Sequence, residues 1–397
     1  MNVSFKLKCF IIKILSNSEN IEDINSFSKQ EIKDLIKIIV FNRLESYFYN
    51  YLSITEACKN SILIKKEIKK TLIKRNICTF KTLGASIGIY KQLNNEGINF
   101  RILKGAYLIN KFNLKHRQIR DLDILVDPSD LEQTISCAKK AGYYFYEKQS
   151  KDEYLDLEHR YALPMMIDKE NNILEIHHRI TDPKIFQKCS IAELIMKDRE
   201  CLRFKDYEIQ HSSIEANFCH ILYHGIGKQF MDCGPQFIND LILLSGGIND
   251  GGKKLQKFIH HAKLEKEFSL FGAILQRFSG LKMDLYMPQL NVPKQILDDA
   301  GSLLIYNDYN HKMLDLFLNT SNKGIIFQTA QKIFSKSSTQ SRYMVKLDKR
   351  NYFSFTIKRV LEQIKHYSIP FLRLFMMNLT TNKIKKYSLI KHFLNND

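Results

Sequence analysis

Residues 119–127, IRDLDILVD, set two aspartates one residue apart inside a run that otherwise reads as a buried strand. Alternate residues of a strand point to the same face, about 6–7 Å apart. Asp121 and Asp123 therefore share one face, while Leu122, Ile124 and Val126 turn the other way into a core. Two carboxylates at that spacing repel by about 3 kcal/mol at an effective dielectric of about 20. A divalent cation between them turns repulsion into attraction. Hard oxygen ligands of this kind suit Mg2+, which completes its shell with water and a substrate phosphate. The competing account is a solvated strand end with two harmless carboxylates.

Two neighbouring stretches bear on that choice. Upstream, RILKGAYL reads as a strand that ends at Lys104-Gly105 and opens into a helix. Glycine lets the backbone approach an anion, a helix N-terminus supplies N–H donors, and Lys104 adds a point charge. The plain alternative is an ordinary strand–helix turn with a surface lysine. Downstream, the alternation in NILEIHHRI puts Glu175 and His177 on one face and Leu174, Ile176 and His178 on the other. A third carboxylate on a neighbouring strand can complete a metal site or take a proton from an attacking hydroxyl. His177 can hold phosphate, orient an acceptor or shuttle a proton, although simple packing is the commoner fate of a lone histidine.

These stretches sit in a chain whose texture changes twice. Residues 1–95 read as helical: SKQEIKDLIKIIVF carries a capping box at Ser28 and Glu31, and a basic amphipathic stretch from Ser61 closes at Gly97. From 96 to 210, short strands alternate with helices, which points to a small mixed sheet. From 211 to 397 the pattern is helical again, with GGINDGG as a loop. The most apolar late piece, HYSIPFLRLFMMNL, reads as a core helix ahead of a membrane-surface one. No run of 18 apolar residues predicts a transmembrane helix, and the basic N-terminus lacks the cleavage site of a signal peptide.

Lys and Arg exceed Asp and Glu by 60 to 42, giving a net charge of +18. Such a balance favours anionic partners such as nucleotides or RNA. It is also what a Lys-, Asn- and Ile-rich composition produces without any partner. The basic residues are spread along the chain rather than clustered, and no basic-aromatic strand of the RNA-recognition kind is visible. Eight scattered cysteines form no C-x-x-C pair, so neither a zinc ribbon nor a redox dithiol is predicted, and a reducing cytoplasm is the expected location.

The order strand, LKG, helix, RDLDILV, helix, GY, and a strand with LEIHHRI resembles the uncharacterised nucleotidyltransferases of the polymerase-β-like superfamily. The resemblance covers about residues 95–245. It extends to HILYHGIGKQFMDCGPQFINDLILL, similar to the family's histidine-bearing helix followed by a helix with an aspartate; here these are His220, His224 and Asp240. It implies an α+β fold: a small mixed sheet with flanking helices, between an N-terminal helical region and a C-terminal helical domain. By the same resemblance Asp121, Asp123 and Glu175 would hold Mg2+, with two ions expected, around the triphosphate of an NTP such as ATP. Lys104 and Gly105 would contact phosphate, with His177 beside them, and Arg120 would anchor the sheet or touch phosphate. The turn departs from the wider superfamily, since Ala106 follows Gly105 where Ser or Gly is usual, and no hydroxyl is offered to phosphate. A Gly-x-x-x-x-Gly-Lys-Ser/Thr loop is absent, so a P-loop reading fails.

His220 and His224, one turn apart, can in principle bind zinc with Cys219 or Cys233. Packing against the sheet, or lining an acceptor pocket, is the preferred reading, and Asp240 reads as a helix-packing or cap partner. The implied reaction is transfer of a nucleoside monophosphate to a hydroxyl on a small molecule or glycan precursor. A toxin-like enzyme acting on RNA or protein, and a catalytically inactive nucleotide-binding scaffold, are the alternatives.

Overall fold

The computed structural model describes residues 3–55, 58–114, 117–146, 162–181, 191–231, 233–283, 290–305 and 380–395. Met1–Tyr146 with Glu158–Asn307 form one compact unit, and Glu147–Leu157 with Asp308–Asp397 a second. The apolar stretch HYSIPFLRLFMMNL lies outside the described residues.

The first unit opens with helices α1 (Phe5–Leu15), α2 (Lys29–Phe41), α3 (Glu45–Ile54) and α4 (Lys59–Asn95). The expected capping box is present: Ser28 Oγ accepts from the Glu31 N–H at 3.3 Å, and Glu31 Oε2 accepts from the Ser28 N–H at 2.9 Å. The helical pattern of residues 28–52 is broken between α2 and α3, where Arg43 takes a left-handed backbone with φ +57°. Asn42 holds that break, donating from Nδ2 to the carbonyls of Ile38 and Ile305. Helix α4 ends where expected, since Gly97 supplies the positive φ that closes a helix.

Next come β1 (Phe100–Ile102), α5 (Lys104–Phe112), β2 (Asp121–Val126), α6 (Leu131–Lys140), β3 (Tyr144–Phe145), β4 (Met166–Ile167) and β5 (Ile173–His177). They give a five-stranded mixed sheet in the order β1-β2-β5-β4-β3. Strands β2 and β5 pair in parallel, and the other pairings are antiparallel. The sequence pattern has β1 running to Gly105; instead the strand stops at Ile102 and Lys104 already opens α5.

One face of β2 and β5 is apolar. Leu122, Ile124, Leu174 and Ile176 are buried there, each contributing about 1.5–3 kcal/mol relative to exposure. Helix α4 covers this face, its Tyr90 ring stacked on Phe100 at 5.9 Å, and α6 packs beside it. The other face carries the carboxylates. On that side Arg101 is buried and donates to the carbonyl of Met196 in α7 (Ile191–Lys197).

A hairpin, β6 (Glu200–Arg203) and β7 (Glu208–His211), leads into α8 (Ile214–Leu222). Helix α8 continues as a π-helical turn, Tyr223–Lys228. Helices α9 (Gln236–Gly246), α10 (Lys253–Ala262), α11 (Glu265–Ser279) and α12 (Lys294–Ile305) follow. Helix α8 packs on α5, α7, α9, α10 and α11. Of the expected GGINDGG loop, Gly246 ends α9 and Asp250–Gly252 form a 3-10 turn, with Gly251 and Gly252 at positive φ. In the second unit, α13 (Thr380–Asn395) buries Tyr387, Ile390 and Leu394. No described helix is long and apolar enough to cross a membrane.

Candidate active site

The parallel pairing of β2 with β5 builds the site. Its register sets Asp123 opposite Glu175 and Leu125 opposite His177. Residues opposite each other share a face, so Asp121, Asp123, Glu175 and His177 all project to the side away from the apolar core. His177 Nε2 lies 2.8 Å from Asp123 Oδ1 and 3.6 Å from Glu175 Oε2. The ligand atoms of Asp123, Glu175 and His177 all fall within 4.8 Å of one another.

Helix α5 brings the cation. Lys104 Nζ donates to Asp123 Oδ1 at 2.6 Å. Lys104 holds a left-handed backbone, φ +50°, which costs a residue with a Cβ about 1–2 kcal/mol. The N–H of the preceding residue, Leu103, donates to the Asp123 carbonyl at 3.0 Å, so the strained residue is tied to β2 by its own side chain and by its neighbour's backbone. Strain held in this way is frequent at functional sites. No side chain caps the α5 N-terminus.

Gly105 has a packing reason to be glycine. A Cβ there would stand 2.4 Å from Ile119 Cγ2 and 3.7 Å from Arg117 Nη2. The buried Ala106 follows it, so no hydroxyl is offered at this turn. The Arg120 side chain is exposed, and its carbonyl accepts from Thr82 Oγ1 at 3.4 Å. Arg120 thus meets α4 through its backbone.

The electrostatics of the two aspartates diverge. Asp123 is buried, which alone would raise its pKa, but Lys104 and His177 hold it well below the usual carboxylate range. Asp121 is pushed up to about 6, first by burial and then by repulsion from Asp123 and Glu175, with Lys104 and Arg43 opposing. Burial works against the Lys104 charge, yet the surrounding carboxylates hold its pKa above the ordinary lysine value. The site therefore carries more negative charge than Lys104 alone offsets.

Four further residues of this neighbourhood were legible to different degrees. Burial, reinforced by Lys104, keeps the pKa of His220 and His224 well below the ordinary histidine value, and His177 and Asp123 also act on His220. Both histidines thus feel the positive charge of Lys104 at the start of α5. The metal-ligand group found among the described residues contains neither of them. Arg43 was not foreseen; its charge acts on Asp121 from the break between α2 and α3. No motif signals it, because it reaches the site from a distant helix link. Asp240 meets the expectation of a packing partner: it receives two hydrogen bonds from Arg117, both 2.9 Å.

The donor set fits a divalent cation. Two carboxylates and an imidazole converge, and a third carboxyl, Asp121, is already disfavoured as an anion by its neighbours. A model of a family described as uncharacterised nucleotidyltransferase matches residues 28–278. The five-stranded mixed sheet with its many helices is consistent with a nucleotidyltransferase fold. No curated protein matches the chain.

Proposed function

We propose that this chain, which belongs to the uncharacterised nucleotidyltransferase family and is therefore a nucleotidyltransferase, moves a nucleoside monophosphate from an NTP such as ATP to an acceptor hydroxyl. A small molecule or glycan precursor is the acceptor we favour. The single observation carrying this reading is the β2–β5 register, which sets Asp123, Glu175 and His177 together beside Lys104.

In this reading Asp121, Asp123 and Glu175 hold Mg2+, two ions in all. When bound, the metal neutralises charge on the triphosphate and stabilises the entering and leaving oxygens. Lys104 and the uncapped N–H groups at the start of α5 hold phosphate. Gly105 keeps that helix start close to Ile119, and His177 fixes the Asp123 carboxylate in place. Arg120, exposed at the start of β2, reaches phosphate from the rim. The acceptor oxygen attacks the α-phosphorus, the bond to the β-phosphate oxygen breaks, and pyrophosphate leaves. The hydroxyl proton passes to a carboxylate of the trio, Glu175 being far more accessible than Asp123, 35% against 4% exposed. In the division of labour we propose, residues 96–210 carry this chemistry, residues 1–95 form a helical support, and the described helices between Ile214 and Ile305 face the acceptor. The reaction takes place in the cytoplasm.

The test is pyrophosphate release from ATP, CTP, GTP and UTP with Mg2+, using cell extract as acceptor. Turnover that persists in Asp121→Ala and Asp123→Ala would remove the metal assignment. A labelled nucleotide recovered on RNA or protein would identify a macromolecular acceptor, and nucleotide binding without turnover would identify a scaffold.

A further inference from the structure

We propose that the outward face of α4 seats this protein on an anionic lipid surface, independently of the nucleotide reading above. Helix α4 is apolar on two opposite sides. On the inner side Ile64, Ile68, Leu72 and Ile89 are buried, where the helix packs on α2, α3, α6 and β2. On the outer side Ile73 is 50% exposed, Ile77 52% and Phe80 70%, and Ile62 and Ile87 are exposed as well. At about 100° per residue these five side chains fall within an arc of about 80°, and the row they form runs about 38 Å along the helix. Gly84 lies in the same row, and a Cβ built there meets nothing within 4 Å. A single exposed apolar side chain is ordinary; a continuous row marks a contact surface.

The charge around the row selects the occupant. Lys66, Lys69, Lys70 and Lys74 are exposed among and beside its N-terminal half, and Glu67 is the lone acidic residue of the helix. Lysine lays an apolar stem along a surface and lifts its ammonium to the polar layer. Apolar side chains entering the acyl boundary, with lysines at the headgroup phosphates, are the two forces that hold a basic helix on an anionic bilayer. A second copy of the chain would bring two lysine-bearing rows together, and each copy carries a net charge of +18. A partner protein would need a groove shaped to one convex helix, whereas a bilayer moulds itself to the ridge.

The placement also leaves the carboxylate cluster open. Helix α4 covers the apolar face of β2 and β5, and Asp123 and Glu175 project from the opposite face of the sheet. The sheet therefore stands between the lipid surface and the site, and docking does not bury the carboxylates.

The test is co-sedimentation of the full-length protein with vesicles of phosphatidylcholine alone and of equal parts phosphatidylcholine and phosphatidylglycerol, at low and high salt. Wild type should sediment with the phosphatidylglycerol vesicles, less so at high salt, and should stay in solution with phosphatidylcholine alone. The double variant Ile77→Gln, Phe80→Gln should partition about tenfold more weakly. The triple variant Lys69→Gln, Lys70→Gln, Lys74→Gln should lose about a hundredfold. A control that removes the same charge from exposed lysines elsewhere, Lys205→Gln, Lys253→Gln, Lys257→Gln, should stay within about threefold of wild type. Circular dichroism and thermal unfolding establish that each variant is folded; if the Ile77, Phe80 pair is not, Ile73→Gln with Ile87→Gln replaces it with the same expectation. Failure of wild type to bind the phosphatidylglycerol vesicles overturns the proposal. So does wild-type partitioning by a folded apolar variant, or a control that weakens as much as the α4 lysine variant, since binding would then be diffuse attraction. A dimer in sedimentation velocity without vesicles that Ile77→Gln, Phe80→Gln dissolves would make the row a self-interface and overturn it equally.

Discussion

Two buried aspartates, Asp123 and Asp240, are each paired with a basic residue of the α5–β2 region, and their surroundings differ. Asp240 receives two hydrogen bonds from the Arg117 guanidinium, both at 2.9 Å, and Arg117 also donates to Gln118 and Gln236. Each oxygen has its own donor, as in a bidentate structural pair. At Asp123, Lys104 and His177 both approach the same oxygen, Oδ1, while Asp121 and Glu175 crowd alongside. One aspartate is matched to its partner. The other sits in a cluster with surplus negative charge and a strained lysine backbone. A pair that completes itself holds a fold together, whereas a pair that leaves charge over is ready for a ligand.

The comparison breaks first at activity. Asp123→Ala should lower the rate of NTP turnover about a thousandfold, with Tm changing by only about 3 °C, because the half-buried Lys104 can turn toward solvent. Steady-state pyrophosphate release with a melting curve on the same sample checks both halves. If Asp123→Ala instead unfolds the protein, the two aspartates are the same kind of residue.

Asp240→Ala is the mirror case. It leaves the Arg117 charge buried without its carboxylate, which costs about 3–5 kcal/mol. Urea unfolding should move accordingly, while turnover per folded molecule stays close to wild type.

The surplus charge makes a third prediction. Asp121 has a pKa of about 6 in the folded chain and an ordinary carboxylate value of 3.8 when unfolded. Between about pH 4 and pH 6 the folded state binds the extra proton, so this residue's contribution to stability falls as pH rises through that window. Above it, the ionised carboxylate destabilises the fold by about 1–3 kcal/mol. Asp121→Asn should therefore stabilise the protein at pH 7 in the presence of EDTA and flatten stability between pH 4 and 6, while removing activity. Thermal unfolding across that range decides it; a variant less stable than wild type at pH 7 would show that Asp121 is not under repulsion.

The smallest effect belongs to Gly105→Ala. Its Cβ would meet Ile119 Cγ2 at 2.4 Å, and such overpacking costs about 1–3 kcal/mol. Partial restoration by Ile119→Val, read from chemical unfolding, would locate the clash. Stability equal to wild type would leave the glycine without a packing role.

Local patterns in the sequence carried far in this chain. The capping box at Ser28, the helix end at Gly97, the D-x-D alternation and the facing of Glu175 with His177 all follow from rules that act within a few residues. The same rules went astray at Lys104: glycine was read as the turn, yet the lysine itself takes the left-handed conformation, with its side chain and the Leu103 N–H both bonded to Asp123. Arg43 was invisible because no periodicity links a helix break to a strand far along the chain. His220 and His224 were noticed, but spacing alone did not show that α8 packs on α5.

By itself the sequence determined which side chains share a face and which stretches are helices or strands, since backbone alternation and helix periodicity are local. That β5 lies parallel beside β2, in the register that sets Glu175 against Asp123, was decided only by tertiary structure. Strand pairing is chosen by the burial of both apolar faces at once, and no single stretch of the chain contains that information.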